Sequence, residues 1–364
     1  MSSTPRTVYI NGRFLTQRIT GIQRYARETL AELDALLDQG ACLPSWRWVL
    51  LAPQGSSFPA LRHIDARCVG VFAGHVWEQI DLARHSRDGL LVSFTPTGPL
   101  LKRAQLVTMH DASVYRVPEA FSWRFKLWYR LVGHWLAARS PRTLAVSEFA
   151  AAELVHWFNC DPRKISVTCE GWQHLERLQG DPRILERHAL TPGRYVLAVS
   201  SPTANKNFQL VVRAASEVSH ADIEFAIAGA TDPNVFAKAS VVPTGRVKML
   251  GYVTDAELKA LYEHALCLVF PSRYEGFGIP PLEAMSLGCP VMASHIAAVK
   301  EVCGSAAQYF DPDDHHEVAR LVERLGSSPA DVERMRSQGR SRSPQFSWRE
   351  AARRTLSAVH QVAS

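Results

Sequence analysis

Short apolar runs alternate with amphipathic stretches along most of the chain. The runs TVYING, WRWVLLAP, LLVSFTP, QLVTMHD, TLAVS and ISVTCEG are separated by helical periods, the first starting at about Ile22. Such alternation predicts a parallel sheet with crossover helices. A polar, proline-bearing stretch around Leu178 to Pro192 breaks the pattern, which then restarts with YVLAVS, IEFAIAG, RVKMLGY, CLVFPS and PVMAS. The prediction is two doubly wound α/β domains joined near residue 185, spanning 1–185 and 186–346. Helix starts are marked by the capping boxes Thr254 with Glu257 and Ser347 with Glu350. The last of these follows SQGRSRSP, a basic segment that reads as disordered. In doubly wound sheets ligands sit at the carboxyl ends of strands, so strand ends are where functional side chains are sought.

The most informative strand end is the one followed by PSRYEGFGIPPLEAMSLGCP, residues 271–290. CLVF at 267–270 reads as a buried strand that stops at Pro271, and Pro281 suits the first turn of a helix that Gly288 ends. Glu275 and Glu283 flank a turn containing Gly276, Phe277 and Gly278. Near a helix N-terminus Glu283 feels a favourable dipole and stays ionised, an acceptor for paired hydroxyls. The glycines let backbone amides approach an anion closely. Two carboxylates for two sets of hydroxyls, with amides for phosphate between them, are the groups needed to hold a sugar nucleotide.

A second strand end, VSSPTANKNFQL at 199–210, runs into a helix. Lys206 there presents an ammonium to a diphosphate, with Ser200 or Ser201 adding a hydroxyl. A third, QLVTMHD, ends on His110.

Bulk properties narrow the class. A chain of 364 residues with 46% hydrophobic and 21% charged residues is a globular protein of two ordinary domains. MSSTPRTVYING lacks an apolar signal core, and no apolar run reaches the roughly 20 residues that span a bilayer, so a cytoplasmic protein is expected. Seven cysteines without a CxxC pair read as scattered core thiols in a reducing compartment. The formal charge of +6 suits phosphorylated substrates or anionic lipid; no nucleic-acid motif is present.

Glu275-Gly-Phe-Gly, followed by Glu283-Ala-Met and Gly288-Cys-Pro-Val, closely resembles the Glu-x7-Glu signature of glycosyltransferase family 4, a retaining family. The resemblance covers nearly the whole chain. It implies the GT-B fold, two Rossmann-like domains facing across a cleft, with the helix from Ser347 (347–364) crossing back to the N-terminal domain. It implies that Glu275 holds donor-sugar hydroxyls and Glu283 the ribose diol, and that His110 contacts the donor sugar. Gly21 in QRITGIQRYA matches a flexible glycine loop near the phosphates or the acceptor, with Gln23 and Arg24 following it as further donors. Tyr252 and Val253 correspond to the position whose backbone reads the base. Relatives carry an Arg beside the loop lysine; here Ser200, Ser201 and Asn205 stand instead, which leaves Asn205, backbone amides or Arg273 to compensate. YINGRFLTQRITGIQRYA is most similar to bacterial mannosyltransferases of surface polysaccharide, lipopolysaccharide included. GDP-mannose is therefore the expected donor, with rhamnose or glucose donors as alternatives. A glycan or undecaprenyl-diphosphate-linked glycan is the expected acceptor. A catalytically silent sugar-nucleotide-binding subunit is the rival reading; an NAD enzyme is disfavoured because no G-x-G-x-x-G follows the first strand.

Two further features carry expectations. Asp311-Pro312-Asp313 fits a metal-binding DxD, yet it precedes a helix, so Asp313 or Asp314 reads as a cap and no metal or other cofactor is expected. In the helical segment 119–139, Phe121, Phe125, Trp128, Val132 and Leu136 make a core face. Lys126, Arg130 and His134, with Trp123 and Leu127, make a basic stripe, read as a solvated face, an acceptor groove or a contact with the anionic inner leaflet.

Overall fold

The computed structural model describes residues 7–41, 46–199, 203–229 and 245–363. The chain divides into two compact units, 1–115 with 121–171 and 347–364, and 116–120 with 172–346. The division falls after Gly171, before the expected position near 185. Residues 178–192 are part of the second unit because the helix Arg183–Arg187 packs on the helix Asp255–His264.

In the first unit, seven parallel strands are ordered β3-β2-β1-β4-β5-β6-β7. They are β1 (Thr7–Asn11), β2 (Arg47–Ala52), β3 (Ile64–Cys68), β4 (Leu90–Ser93), β5 (Gln105–Met109), β6 (Arg142–Ala145) and β7 (Ile165–Val167). The central strands β4 and β5 are buried along their whole length, as parallel strands covered on both faces require. The helix Gly21–Asp38 starts at a capping box between Thr20 and Gln23 and buries Tyr25, Leu30 and Leu33. It packs against the last helix, Trp348–Ala363, whose fully buried Trp348 meets the Tyr25 ring edge-on at 6.2 Å.

In the second unit, six parallel strands are ordered β10-β9-β8-β11-β12-β13. They are β8 (Tyr195–Val199), β9 (Glu224–Ala228), β10 (Val247–Gly251), β11 (Cys267–Phe270), β12 (Val291–Ser294) and β13 (Ala307–Phe310). Its core is built from β8, β9 and β11 with the helices Phe208–Glu217 and His315–Ser327. SQGRSRSP is ordered, contrary to expectation: it completes the helix Pro329–Arg342 and a following 3-10 turn. The Arg342 guanidinium donates to the Val302 carbonyl at 2.9 Å and to the Glu301 carbonyl at 2.6 Å, which holds this basic segment down.

In both sheets the chain order reverses in the middle, between β1 and β4 and between β8 and β11. These are the topological switch points, where the loops leaving two adjacent strands diverge and open a crevice. No described helix is long and apolar enough to cross a membrane.

Candidate functional site

At the switch point of the second unit, the loop after β8 and the loop after β11 bring Lys206 and Glu275 together. Lys206 Nζ lies 2.7 Å from Glu275 Oε1, and both side chains are partly buried. The Arg273 amide donates to the Asn205 carbonyl at 2.8 Å, and the Asn205 side-chain amide donates to the Tyr274 carbonyl at 3.4 Å. Asn205 thus ties the two loops together and is not turned outward as a phosphate donor. Asn207, with φ +52°, donates to the carbonyls of Pro271 and Pro312. The sequence placed Lys206 and Glu275 in separate motifs; the sheet topology makes them a pair. Ser200 and Ser201 lie outside the described residues.

Arg273, the arginine expected to compensate for the missing loop arginine, has a carboxylate partner of its own. Its guanidinium pairs with Asp313 at 2.6 Å on the surface, and that pairing holds the Asp313 carboxyl below its ordinary pKa. Of the two candidate caps, Asp314 is the one that accepts from the Glu317 amide and starts the helix His315–Ser327.

The glycine turn runs into the helix Ile279–Ser286. Gly278 caps it with φ +113°, a conformation L side chains rarely adopt. Gly276, Phe277 and Gly278 are buried, and the Phe277 ring packs edge-on against Phe346 at 5.7 Å. Glu283 is the fifth helical residue, beyond the first turn where the dipole is strong. Two side chains hold its carboxylate in place. His174 Nε2 lies 2.9 Å from Glu283 Oε1, and the Tyr262 hydroxyl donates to Oε2 at 3.0 Å. Glu283 is 5% exposed, and His174 and Tyr262 are buried with it. Burial, and next the charge of Glu283, push the Tyr262 hydroxyl well above its ordinary pKa, so it remains a donor. Sequence reading missed both partners, because His174 lies in a short helix 109 positions from Glu283 and Tyr262 looks like an ordinary core aromatic. Tyr252, exposed, and Val253 follow β10, ahead of the Thr254–Glu257 capping box.

In the first unit, His110 directly follows β5 and is 7% exposed. Its Nε2–H donates to the Phe94 carbonyl at 3.0 Å, and Nδ1 lies 3.5 Å from Glu170 Oε1. The Tyr25 ring meets it edge-on at 4.9 Å. Gly21 is the first residue of its helix. The Gln23 carboxamide is spent closing that helix start: it accepts from the Thr20 amide at 3.2 Å and donates to Gln17 at 2.9 Å. Arg24 approaches Glu28 at 3.8 Å. Gln23, expected as a ligand donor, caps this helix.

The helix Trp123–Arg139 also departs from expectation. The Arg130 guanidinium donates to the Val114 carbonyl at 2.7 Å and lies 4.4 Å over the Tyr115 ring. His134 bonds the Tyr115 hydroxyl and the Phe158 carbonyl. These two basic groups of the stripe face inward. The outward face is apolar: Trp123 is 66% exposed and Leu131 60%, with Leu127 and Trp135 exposed between and beyond them. Of the expected core face, Val132 and Leu136 are buried and Phe125 is exposed.

One group of possible metal ligands is assembled among the described residues: Glu217, His315 and His316, whose ligand atoms lie within 4.8 Å of one another. These residues belong to neither of the loops that carry Lys206 and Glu275.

Comparison with known proteins gives concordant matches. A family profile described as "Glycosyl transferases group 1" matches residues 183–342, and one described as "Glycosyltransferase Family 4" matches residues 19–174. The chain is similar to the O-antigen chain mannosyltransferase RfbU of Salmonella typhimurium, 30% identical over 241 residues that make up 65% of each protein, just under two thirds. It is similar to the MMP alpha-(1->4)-mannosyltransferase of Mycolicibacterium hassiacum, 27% identical over 350 residues, 92% of this chain and 80% of that one. Among solved structures, a sucrose-phosphate synthase from Thermosynechococcus elongatus superposes with a TM-score of 0.76 at 16% identity, over 99% of this chain and 100% of that one.

Proposed function

Because the chain belongs to glycosyltransferase family 4, we propose that it moves a hexose, with retention of anomeric configuration, from a nucleotide diphosphate sugar to a glycan or lipid-linked glycan acceptor in polysaccharide synthesis. Mannose from GDP-mannose is the donor this reading favours, supported by the mannosyltransferase names of the relatives above.

The observation that carries the reading is the 2.7 Å contact between Lys206 and Glu275. In a sugar nucleotide the hexose is bonded directly to the terminal phosphate, so a group reading sugar hydroxyls and a group neutralising that phosphate have to be neighbours. A cation and a carboxylate touching at a switch point meet that requirement. In the proposed step the bond from the anomeric carbon to the phosphate oxygen breaks, and a bond to the acceptor oxygen forms on the same face. The acceptor proton passes to the departing phosphate. Lys206 stabilises the charge that builds on the diphosphate, Glu275 orients the sugar and Glu283 holds the ribose. His110, by its strand-end place, contacts the donor sugar, and the backbone at Tyr252 and Val253 reads the base. No metal takes part in this scheme. A donor screen tests it: GDP-mannose should be hydrolysed slowly in the absence of acceptor and faster than UDP- or dTDP-sugars. Hydrolysis of none of them by a protein that binds nucleotide would favour a silent binding subunit.

We further propose peripheral contact with a membrane, the site of a lipid-linked acceptor, through the apolar face of the helix Trp123–Arg139 and not through its basic stripe. That helix contains no acidic residue. Arg124 lies 5.4 Å over the Trp123 ring and Arg139 4.3 Å over the Trp135 ring, pairing an aromatic with a cation at each end. Trp135 Nε1–H donates to the Leu100 carbonyl at 2.7 Å, which brings alongside it Leu101, 89% exposed. Aromatic rings and exposed aliphatics with basic residues interspersed suit an anionic bilayer interface.

A further inference from the structure

The carboxylate of Glu283 is buried and held by only two side-chain donors among the described residues, one on each oxygen. A carboxylate oxygen has two lone pairs, so the two donors use half of the group's accepting capacity. Leaving a buried charge half satisfied is costly unless something else completes it. What remains, one lone pair on each of two adjacent oxygens, matches two adjacent hydroxyls.

The donors are fixed by two different helices. Tyr262 is fully buried in the helix Asp255–His264, so its ring has no freedom to turn away. His174 sits in the short helix Gln173–Glu176, just after the chain enters the second unit at Trp172. That segment is itself pinned: Trp172 Nε1–H donates to the Ser343 carbonyl at 3.2 Å, and the Gln173 carboxamide donates to the Phe346 carbonyl at 3.1 Å. Phe346 in turn braces Phe277 of the glycine turn. One continuous network therefore runs from the segment 172–174 to both halves of the Glu275–Glu283 motif.

We propose that His174 and Tyr262 are positioning residues that lock the Glu283 carboxylate in one rotation, with one free lone pair on each oxygen directed to the vicinal diol of the nucleotide ribose. The proposal rests on the assignment of Glu283 to the ribose made above. Neither residue touches the ligand. Each acts by fixing the rotation of the carboxylate, so removing either loosens the recognition of the diol and leaves the diphosphate contacts of Lys206 in place.

Calorimetry with GDP and with 2′-deoxy-GDP, on wild type and on Glu283→Ala, Tyr262→Phe and His174→Gln, tests this. Wild type should prefer GDP to the deoxy nucleotide by about tenfold, the range expected for loss of one charge-assisted hydrogen bond. All three variants should bind GDP more weakly, with the preference falling towards one. Adding Tyr262→Phe to Glu283→Ala should cost nothing more, because the tyrosine acts through that carboxylate. If Glu283→Ala keeps the wild-type preference, the ribose assignment itself is wrong. If Glu283→Ala loses the preference while folded Tyr262→Phe and His174→Gln both keep it, the assignment stands and the positioning role is overturned. Should Tyr262→Phe fail to fold, His174→Gln alone decides, since His174 lies in the four-residue helix Gln173–Glu176.

Discussion

Lys206 and Glu275 form an ion pair of 2.7 Å across two loops that leave the adjacent strands β8 and β11. Each residue is therefore the other's partner until a ligand arrives. In the proposed function a diphosphate would compete with Glu275 for the ammonium, and sugar hydroxyls with Lys206 for the carboxylate, so a sugar nucleotide would compensate both groups at once and a bare nucleotide only one.

Glu275→Gln keeps the side-chain volume and removes the charge. Turnover should fall about 10- to 100-fold, the equivalent of roughly 1.5 to 3 kcal/mol for a lost charge-assisted contact. Affinity for bare GDP should stay near wild type or tighten, because Lys206 no longer has to leave a carboxylate. Single-turnover kinetics and calorimetry on the same preparation separate the two. Equal losses in both would mean a purely structural role.

Glu283→Ala removes the proposed ribose contact. Nucleotide affinity should drop at least about tenfold. Calorimetry showing unchanged affinity would remove the assignment.

Much of the fold was legible in the sequence, and the reasons for the gaps are physical. Strands buried on both faces, such as β4, β5, β8 and β11, appear as continuous apolar runs. The strands β3 and β13 escaped notice because neither offers an apolar run: β3, IDARC, has three exposed residues, and β13 is AQYF. Glu275, Lys206 and Glu283 stand out in the sequence because motif and strand end coincide. Their partners were not, since hydrogen bonds such as His174 to Glu283 depend on chain topology and leave no local pattern. Periodicity found the two faces of the helix Trp123–Arg139 but not which one turns inward, because Arg130 and His134 bury their stems while bonding backbone carbonyls.

Chelation bears on the metal-free scheme. Transfer should survive EDTA in wild type and in His315→Ala/His316→Ala, whether or not Glu217, His315 and His316 take up an ion. Strict dependence of turnover on added magnesium or manganese would contradict the role given to Lys206.

The membrane reading is tested by replacing Leu127 and Leu131 with Asp. Both are exposed, so folding should be preserved. The basic residues on this helix contribute about 1 kcal/mol apiece near an anionic surface, and the aliphatic groups supply the rest. Wild type should sediment with anionic liposomes at low salt, and the variant should not, while transfer to a short soluble acceptor is retained. Failure of wild type to bind would remove the membrane from the account.

The central claim, retaining transfer of mannose at the Lys206–Glu275 site, is tested most directly by following the anomeric proton signals of GDP-mannose and product by NMR during turnover. The account predicts that the α signal of the donor is replaced by an α-linked product in wild type, and that the conversion slows about 10- to 100-fold in Glu275→Gln. A β-linked product, or consumption of GDP-mannose that Glu275→Gln leaves unaltered, would contradict it.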